Sequence, residues 1–457
     1  METLQKKLSA EKIKGKVIFP GNSDYEEVRK IWNGMIDKKP AAFVQVTSND
    51  DVVSAIKIAR ENNLEISIRG AGHNIGGSSL TNGGIVIDFS QMKKVSIDEG
   101  NLLARVEPGA TLGDFDSAVQ KYGLATPTGI NSTTGIAGLT LGGGFGWLTR
   151  KYGMTVDNLN SVDLVTLEGK KIKANNNENA DLFWAIRGGG GNFGVITNFE
   201  FNLHKLGKEV IAGLVVYPFE HSKEILKSYM EFTKSAPEEL TVWMLIRHAP
   251  PLPFLPKEVH GKKVVVLATM YSGNSPEGEK LTKKLTEFGK PYGVHIGAMP
   301  YVQWQQAFDP LLAPGARNYW KSHNFEQLTP NLLDVVISFG DILPGPQSEI
   351  FIAHIAGAPN KVPAEKMAYC ARETRYILNV HARWDNPKED NQFINWSREL
   401  FKATKPFASK GAYVNFMTEE EGNRVSDAYG NNYKRLVEIK RKYDPENLLH
   451  LNQNIKP

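Results

Sequence analysis

Cysteine is nearly absent: Cys370 is the only one in 457 residues. A single thiol excludes an internal disulfide and any cysteine-built metal cluster, and it fits a reducing, cytoplasmic setting. An excess of either charge is also lacking. The chain carries 54 basic and 50 acidic residues, a formal net charge of +4. No Lys/Arg-rich block stands out, so no nucleic-acid partner is expected. No apolar run approaches the roughly eighteen residues that mark a membrane-spanning helix, so no membrane partner is expected. The start, METLQKKLSAEKIKGKVIF, has charges but no apolar centre followed by a small-residue cleavage site, so it does not read as a signal peptide. The ten histidines show no HExxH or other ligand spacing, and no metal is expected. Internal repeats and low-complexity tracts are absent too.

What is present is a globular composition, 41% hydrophobic, with length for two or three domains. Residues 41–200 read as alternating strands and helices. AAFVQV, LEISIRG, GIVIDFS, LLARVEPG, VDLVTLEG and GVITNFEFNLH are strands. SNDDVVSAIKIARENN is a helix capped by Ser48 or Asn49, and TLGDFDSAVQKYG is a helix from Thr111 to Gly123. Composition shifts near residue 206. From there to about 405, runs such as LTVWMLIRH, KVVVLATMYSG, EIFIAHIAG and TRYILNVHARW alternate with period two. They predict an antiparallel sheet with a helix-covered face. The last helix, in NNYKRLVEIKRKYDP, ends at a proline.

Glycine is the compositional excess, with 42 residues, above the usual share of about 7%. It clusters in RGAGHNIGG (69–77), in GINSTTGIAGLTLGGGFG (129–146) and in RGGGGNFG (187–194). Glycine lets main-chain N–H groups approach a ligand with no side chain between, and consecutive N–H groups form a nest for phosphate. Three such segments in one region predict a phosphate-bearing cofactor held by backbone. Gly189, Gly191 and Gly194 match G-x-G-x-x-G, but a helix precedes them and a strand follows. That order is the reverse of a Rossmann fingerprint. His73 stands inside the first glycine loop. Among pyrophosphate cofactors, flavins accept a covalent bond from histidine at the 8α carbon.

The stretches RGAGHNIGG, GLTLGGGFGWLTRKYGMTVDNL, RGGGGNFGVIT, YVNF and NLLHLNQNI, taken in order, resemble the berberine-bridge-enzyme-like FAD-linked oxidases of the vanillyl-alcohol-oxidase superfamily. The resemblance spans nearly the whole chain. It implies an α+β fold: a PCMH-type FAD-binding domain of two α/β subdomains, with an inserted substrate domain. The expected divisions are 1–205 and 409–457 for the FAD-binding domain and 206–408 for the substrate domain. The implied FAD contacts are Arg69, Gly70, Ala71, Gly72, His73, Asn74, Gly76 and Gly77; Thr128, Gly129, Thr134, Gly135, Gly138, Gly142, Gly143, Gly144 and Gly146; Gly194 and Val195; and Asn415. His73 is the implied single covalent link. Many members add a second link through a cysteine, and here Asn131 occupies that position. Thr134 falls where the family places a side chain that gates oxygen.

The family's active-site tyrosine falls on Tyr413, expected on a strand as catalytic base, with Lys321 or His381 as groups to activate it. Period two puts Ile350, Ile352 and His354 on one strand face, and Ile377, Asn379 and His381 on another, as a polar lining over the flavin. Asn379, His381 and Tyr319 complete the candidate catalytic set. The reading is an FAD-linked oxidase acting on a CH–OH or related C–H donor of a small molecule, with O2 as acceptor. A dehydrogenase with another acceptor and a non-catalytic flavin-binding protein are the competing readings. Substrate identity and oligomeric state stay open.

Overall fold

The computed structural model describes residues 2–457. Three sheets carry the architecture, beside a two-stranded pairing. In the first, Ala42–Gln45, Ile85–Asp88 and Ile66–Arg69 run parallel, and Lys16–Ile18 joins antiparallel at the edge. The central strand Ile85–Asp88 is buried at every position, which is why GIVIDF reads as a continuous apolar run. The helix Asn49–Glu61 packs on this sheet through Val52, Ile56 and Ala59. Its cap is Ser48, whose side chain accepts the Asp51 N–H.

The second sheet has five antiparallel strands, in the order Val95–Asp98, Leu103–Val106, Val195–Asn202, Leu159–Val165, Lys171–Ala174. The helix Leu112–Val119 starts in a capping box made by Thr111 and Asp114, and its following turn ends at Gly123 in left-handed backbone. Residues from the far end of the chain complete this core. Ala412, Val414, Leu436, Ile439 and Ile455 pack in one cluster with Val106, Phe115, Phe183 and Phe199. Lys440, on the helix Tyr433–Tyr443, is wholly buried. Its Nζ donates to Asp444 Oδ2 at 2.5 Å and to the carbonyls of Asn192 and Leu449, each at 2.9 Å. Burial alone would push the Lys440 ammonium toward neutrality, and the carboxylate opposes that.

The third sheet has seven strands, all antiparallel, in the order Gly293–Pro300, Glu209–Pro218, Lys263–Tyr271, Leu240–His248, Glu349–His354, Tyr376–Trp384, Arg317–Phe325. The helices Ser222–Ser235, Pro330–Asp341 and Asp390–Thr404 cover one face. The other face is covered as well, by Phe145, Trp147, Met154 and Tyr413 from the first and last parts of the chain. Tyr376–Trp384 is therefore buried at all nine positions. Among the described residues, no helix is long and apolar enough to cross a membrane.

Candidate active site

A cavity of about 290 Å3 lies between the third sheet and the glycine segments. Its floor is made by residues of the segments 70–74, 129–131, 134–142 and 190–194, many of them glycine, closed by Asn415, Asn452 and Gln453. Local sequence explains the floor. Gly72 sits at φ +70°, where a side chain would be strained and would press on Ile31. Gly138 faces the cavity with nothing within 4 Å of where a Cβ would be, so a larger residue there would fill space the floor leaves open. Four buried polar atoms of lining residues, Ser79 Oγ, Asn379 Oδ1 and the indole nitrogens of Trp147 and Trp320, have no hydrogen-bond partner. Buried polar atoms are normally paired, so these fit a polar ligand seated in the cavity.

The expected cofactor contacts divide into two groups. Gly70, Ala71, Gly72, His73, Asn74, Gly129, Thr134, Gly135, Gly138, Gly142, Gly194 and Asn415 line the cavity. The others stand behind it. The Arg69 guanidinium turns to the Val28 carbonyl. Gly76 packs against Glu419, and Gly77 against Ile36. Gly143 packs against Tyr369, Gly144 against Thr155 and Gly146 against the Thr128 carbonyl. Val195 pairs with Val165 inside the second sheet. The Thr128 hydroxyl is bound to Asp116 at 3.2 Å, and Gln305 Nε2 joins them at 2.8 Å from each. Burial pushes the Asp116 carboxyl up to about 7, against those two bonds.

His73 lies on the cavity wall. Its Nε2 is 2.8 Å from Thr133 Oγ1, and its ring stacks on Trp32 at 4.7 Å. Burial and the Arg383 cation push the imidazole down to about 3, so it is neutral. Tyr413 is not on a strand. It precedes a single turn, Val414–Phe416, after Gly411 in left-handed backbone. Its hydroxyl oxygen accepts the Gly144 N–H at 3.1 Å and Asn415 Nδ2 at 3.2 Å. Burial pushes the phenol up to about 12 although both donors favour the phenolate. Neither expected activator reaches it. Lys321 is held by Glu420 at 2.6 Å and Glu421 at 3.2 Å, and His381 by Glu349 and Asn318.

The wall opposite the floor is set by strand register. His381 pairs with Glu349 on one side and Trp320 on the other, and Asn379 pairs with Phe351. Asn379 and His381 face the cavity as expected, together with Trp320, Glu349 and Phe351. Tyr319 does not. Adjacent residues on a strand point to opposite faces, so Tyr319 lies among the helices, with its hydroxyl bound to Glu420 and to Arg398 Nε. Ile350, Ile352 and His354 also point away. His354 stacks on Tyr376 at 4.9 Å, and neither of its ring nitrogens has a partner.

Arg247 and Glu349 were not foreseen as site residues. Arg247 Nη1 bonds Glu349 Oε2 at 2.8 Å, and Glu349 Oε1 is 3.3 Å from His381 Nδ1. Burial would raise the Glu349 carboxyl, but Arg247 and His381 outweigh it and hold the carboxyl below its ordinary value. Each ring nitrogen of His381 faces an acceptor, Glu349 Oε1 or Asn318 Oδ1. Burial pushes the imidazole down, and Glu349 opposes this without reversing it. A neutral His381 thus leaves one ring nitrogen set against an oxygen, in a place that suits an incoming proton. The available signals were an arginine ending an apolar strand, LTVWMLIRH, and an acid opening one, EIFIAH. No cluster of His, Cys, Asp and Glu among the described residues could hold a metal ion.

A glycine-rich floor facing a wall with polar and titratable groups suits a phosphate-bearing cofactor. The family profile described as "FAD binding domain" matches residues 40–175, and "Berberine and berberine like" matches 412–456. An FAD-linked oxidoreductase of Dictyostelium discoideum is 32% identical, over 98% of this chain and 96% of that protein. The (R)-6-hydroxynicotine oxidase of Paenarthrobacter nicotinovorans is 30% identical over 97% of each. Among solved structures, the berberine-bridge-enzyme-like 1 protein of Physcomitrella patens superposes with a TM-score of 0.89 at 25% identity, covering 99% of each chain. The 6-hydroxy-D-nicotine oxidase of Arthrobacter nicotinovorans does so with a TM-score of 0.88 at 27% identity, covering 97% of this chain and 98% of that one. The chain belongs to the berberine-bridge-enzyme-like FAD-linked oxidoreductases, and FAD is its cofactor.

Proposed function

We propose that the protein is an FAD-dependent oxidase of a small hydroxylated molecule, with its FAD bonded to His73 alone and O2 as the electron acceptor. FAD, when bound, supplies the acceptor for a hydride and its onward transfer to O2 as hydrogen peroxide. The observation that carries the donor class is the unpartnered Asn379 Oδ1, an acceptor facing the same apolar cavity as the Tyr413 hydroxyl. An acceptor left bare in such a place suits a ligand O–H or N–H. Asn379 Oδ1 would accept from a second O–H or N–H of the donor molecule, and Tyr413 would take the proton of the reacting hydroxyl as the hydride leaves the same carbon. The Gly144 N–H and Asn415 are arranged to stabilise the phenolate oxygen for that task. Proton abstraction by the wall instead is a second reading, favoured by the acceptor-facing nitrogens of His381.

The single link is supported by His73 among the cavity residues and by Asn131 at the position where the resemblance puts the second, cysteinyl link of many family members. Thr134, small and on the lining, supports access for O2. The packing of 412–455 into the core of residues 104–203 supports an FAD-binding domain built from 1–205 and 409–457, with 206–408 as the substrate domain. A cytoplasmic setting is supported by the lone, half-buried Cys370. The test combines acid precipitation with anaerobic screening of alcohols, phenolic alcohols and polyols. Yellow colour in the washed pellet, and bleaching by a hydroxylated donor, are expected. Colour wholly in the supernatant sinks the covalent link. Bleaching only by compounds without a hydroxyl sinks the donor class.

A further inference from the structure

We propose that Thr133, oriented by Asn131, is a positioning residue that fixes His73 as its Nε2–H tautomer and leaves the Nδ1 lone pair free to bond the cofactor. This rests on the covalent reading above. Hydrogen-bond direction carries the assignment. The Thr133 backbone N–H donates to Asn131 Oδ1 at 2.9 Å. A backbone N–H can only donate, so the amide oxygen, not the nitrogen, faces Thr133. Asn131 Nδ2 points away, toward the Leu312 carbonyl at 3.5 Å. Thr133 Oγ1 lies 2.7 Å from that same amide oxygen, which has no proton to give. The Thr133 hydroxyl therefore donates to Asn131, and its one proton is used. Toward His73 Nε2, 2.8 Å away, it can only accept. His73 Nε2 carries the proton. Nδ1 has no hydrogen-bond partner among the described residues, and the ring lines the cavity.

The ring plane is fixed independently. Trp32 stacks on His73 with 24° between planes, and Trp32 Nε1 donates at 2.7 Å to the Leu312 carbonyl that Asn131 approaches. The Arg383 guanidinium lies 5.4 Å from the Trp32 ring. The loop is pinned from the other domain as well. Ser132 N and Oγ donate to Asp309 at 2.9 and 2.5 Å. Thus the residue that replaces the second tethering cysteine serves the first tether instead.

The bonding step balances as follows. The Nδ1–C8α bond forms as a C8α–H bond breaks. The proton from that carbon leaves, and then the Nε2 proton. The two electrons of the broken C–H bond reduce the isoalloxazine, and O2 takes them with two protons as hydrogen peroxide.

The experiment uses full-length apoprotein from riboflavin-starved cells. FAD is added in air, acid-insoluble flavin is followed in time, and the linked histidine nitrogen is identified in the flavin peptide. Nitrogen-15 histidine NMR of the same apoprotein reads the tautomer. The wild type should show Nε2–H at His73 and an Nδ1 link. Thr133→Val and Asn131→Ala should still bind FAD non-covalently but form the bond more slowly, on the order of fivefold for one lost hydrogen bond. Both should give mixed linkage. Thr133→Ser should restore rate and linkage. Wild-type rate and a pure Nδ1 link in Thr133→Val would overturn the proposal, as would an Nδ1–H tautomer in wild-type apoprotein. Wild type without acid-insoluble flavin would overturn the covalent reading and the bonding half of the proposal with it. The NMR result then decides the tautomer on its own.

Discussion

Glu349 and His381 face each other across adjacent strands, with the carboxylate Oε1 3.3 Å from the imidazole Nδ1. The carboxylate favours the imidazolium, while burial and the Arg383 and Arg247 cations oppose it. Glu349→Gln removes the one charge that favours protonation, so the His381 pKa should fall further. If His381 handles a proton in turnover, the acid limb of kcat/KM against pH should move to lower pH in this variant. An unmoved acid limb means that His381 does not titrate in the rate.

Tyr413→Phe keeps the ring packed at 5.1 Å from Phe145 and removes only the hydroxyl. Loss of a general base should slow anaerobic flavin reduction by about a hundredfold or more. Bound FAD and substrate affinity should stay near wild type. A near-normal reduction rate would move the base to the wall that carries His381.

Thr134→Leu should narrow the approach of O2 without touching the donor side. Photoreduced wild type should reoxidise promptly in air. The leucine variant should do so more slowly, on the order of tenfold, which corresponds to about 1.4 kcal/mol on the barrier. Slow recovery of the wild type itself, with fast recovery on adding an artificial dye, would make the protein a dehydrogenase.

Asp116 gives a pH signature to stability. Its carboxyl is protonated in the fold up to about 7 but ionises near 3.8 when unfolded. Between those values the folded state holds more protons, so its stability falls as pH rises through the window. Asp116→Asn lacks that proton equilibrium. Urea unfolding at pH 4.5 and pH 8 should show the wild type losing more stability than the variant, by about 3 kcal/mol. An equal loss in both would mean that Asp116 is ionised in the fold throughout.

The floor of the site was legible because glycine marks it directly. Gly72, Gly138 and Gly142 line the cavity with His73, while Gly76, Gly77, Gly143, Gly144 and Gly146 pack behind it. The wall was harder to read. Strands buried on both faces lose the polar–apolar contrast that reports which face is which. In EIFIAHIAG, the alternation that grouped Ile350 with His354 names the face turned from the cavity, and Glu349 and Phe351 occupy the other. The same one-residue offset separates Tyr319 from Trp320. The contact between Thr133 and His73 joins two loops 60 residues apart and leaves no local trace in either.

The buried Lys440 ammonium grips the Asn192 carbonyl, in the third glycine segment, from a helix near the far end of the chain. Tyr413, Asn415, Asn452 and Gln453 close the same floor. On the ribosome, the glycine loops emerge long before these groups do. A nascent chain can complete its first sheet early, but it has no finished pocket until residues 413–453 have been synthesised and folded back. The pocket is thus a joint product of both ends of the described chain, and its floor is complete only when 413–453 are folded onto the glycine segments.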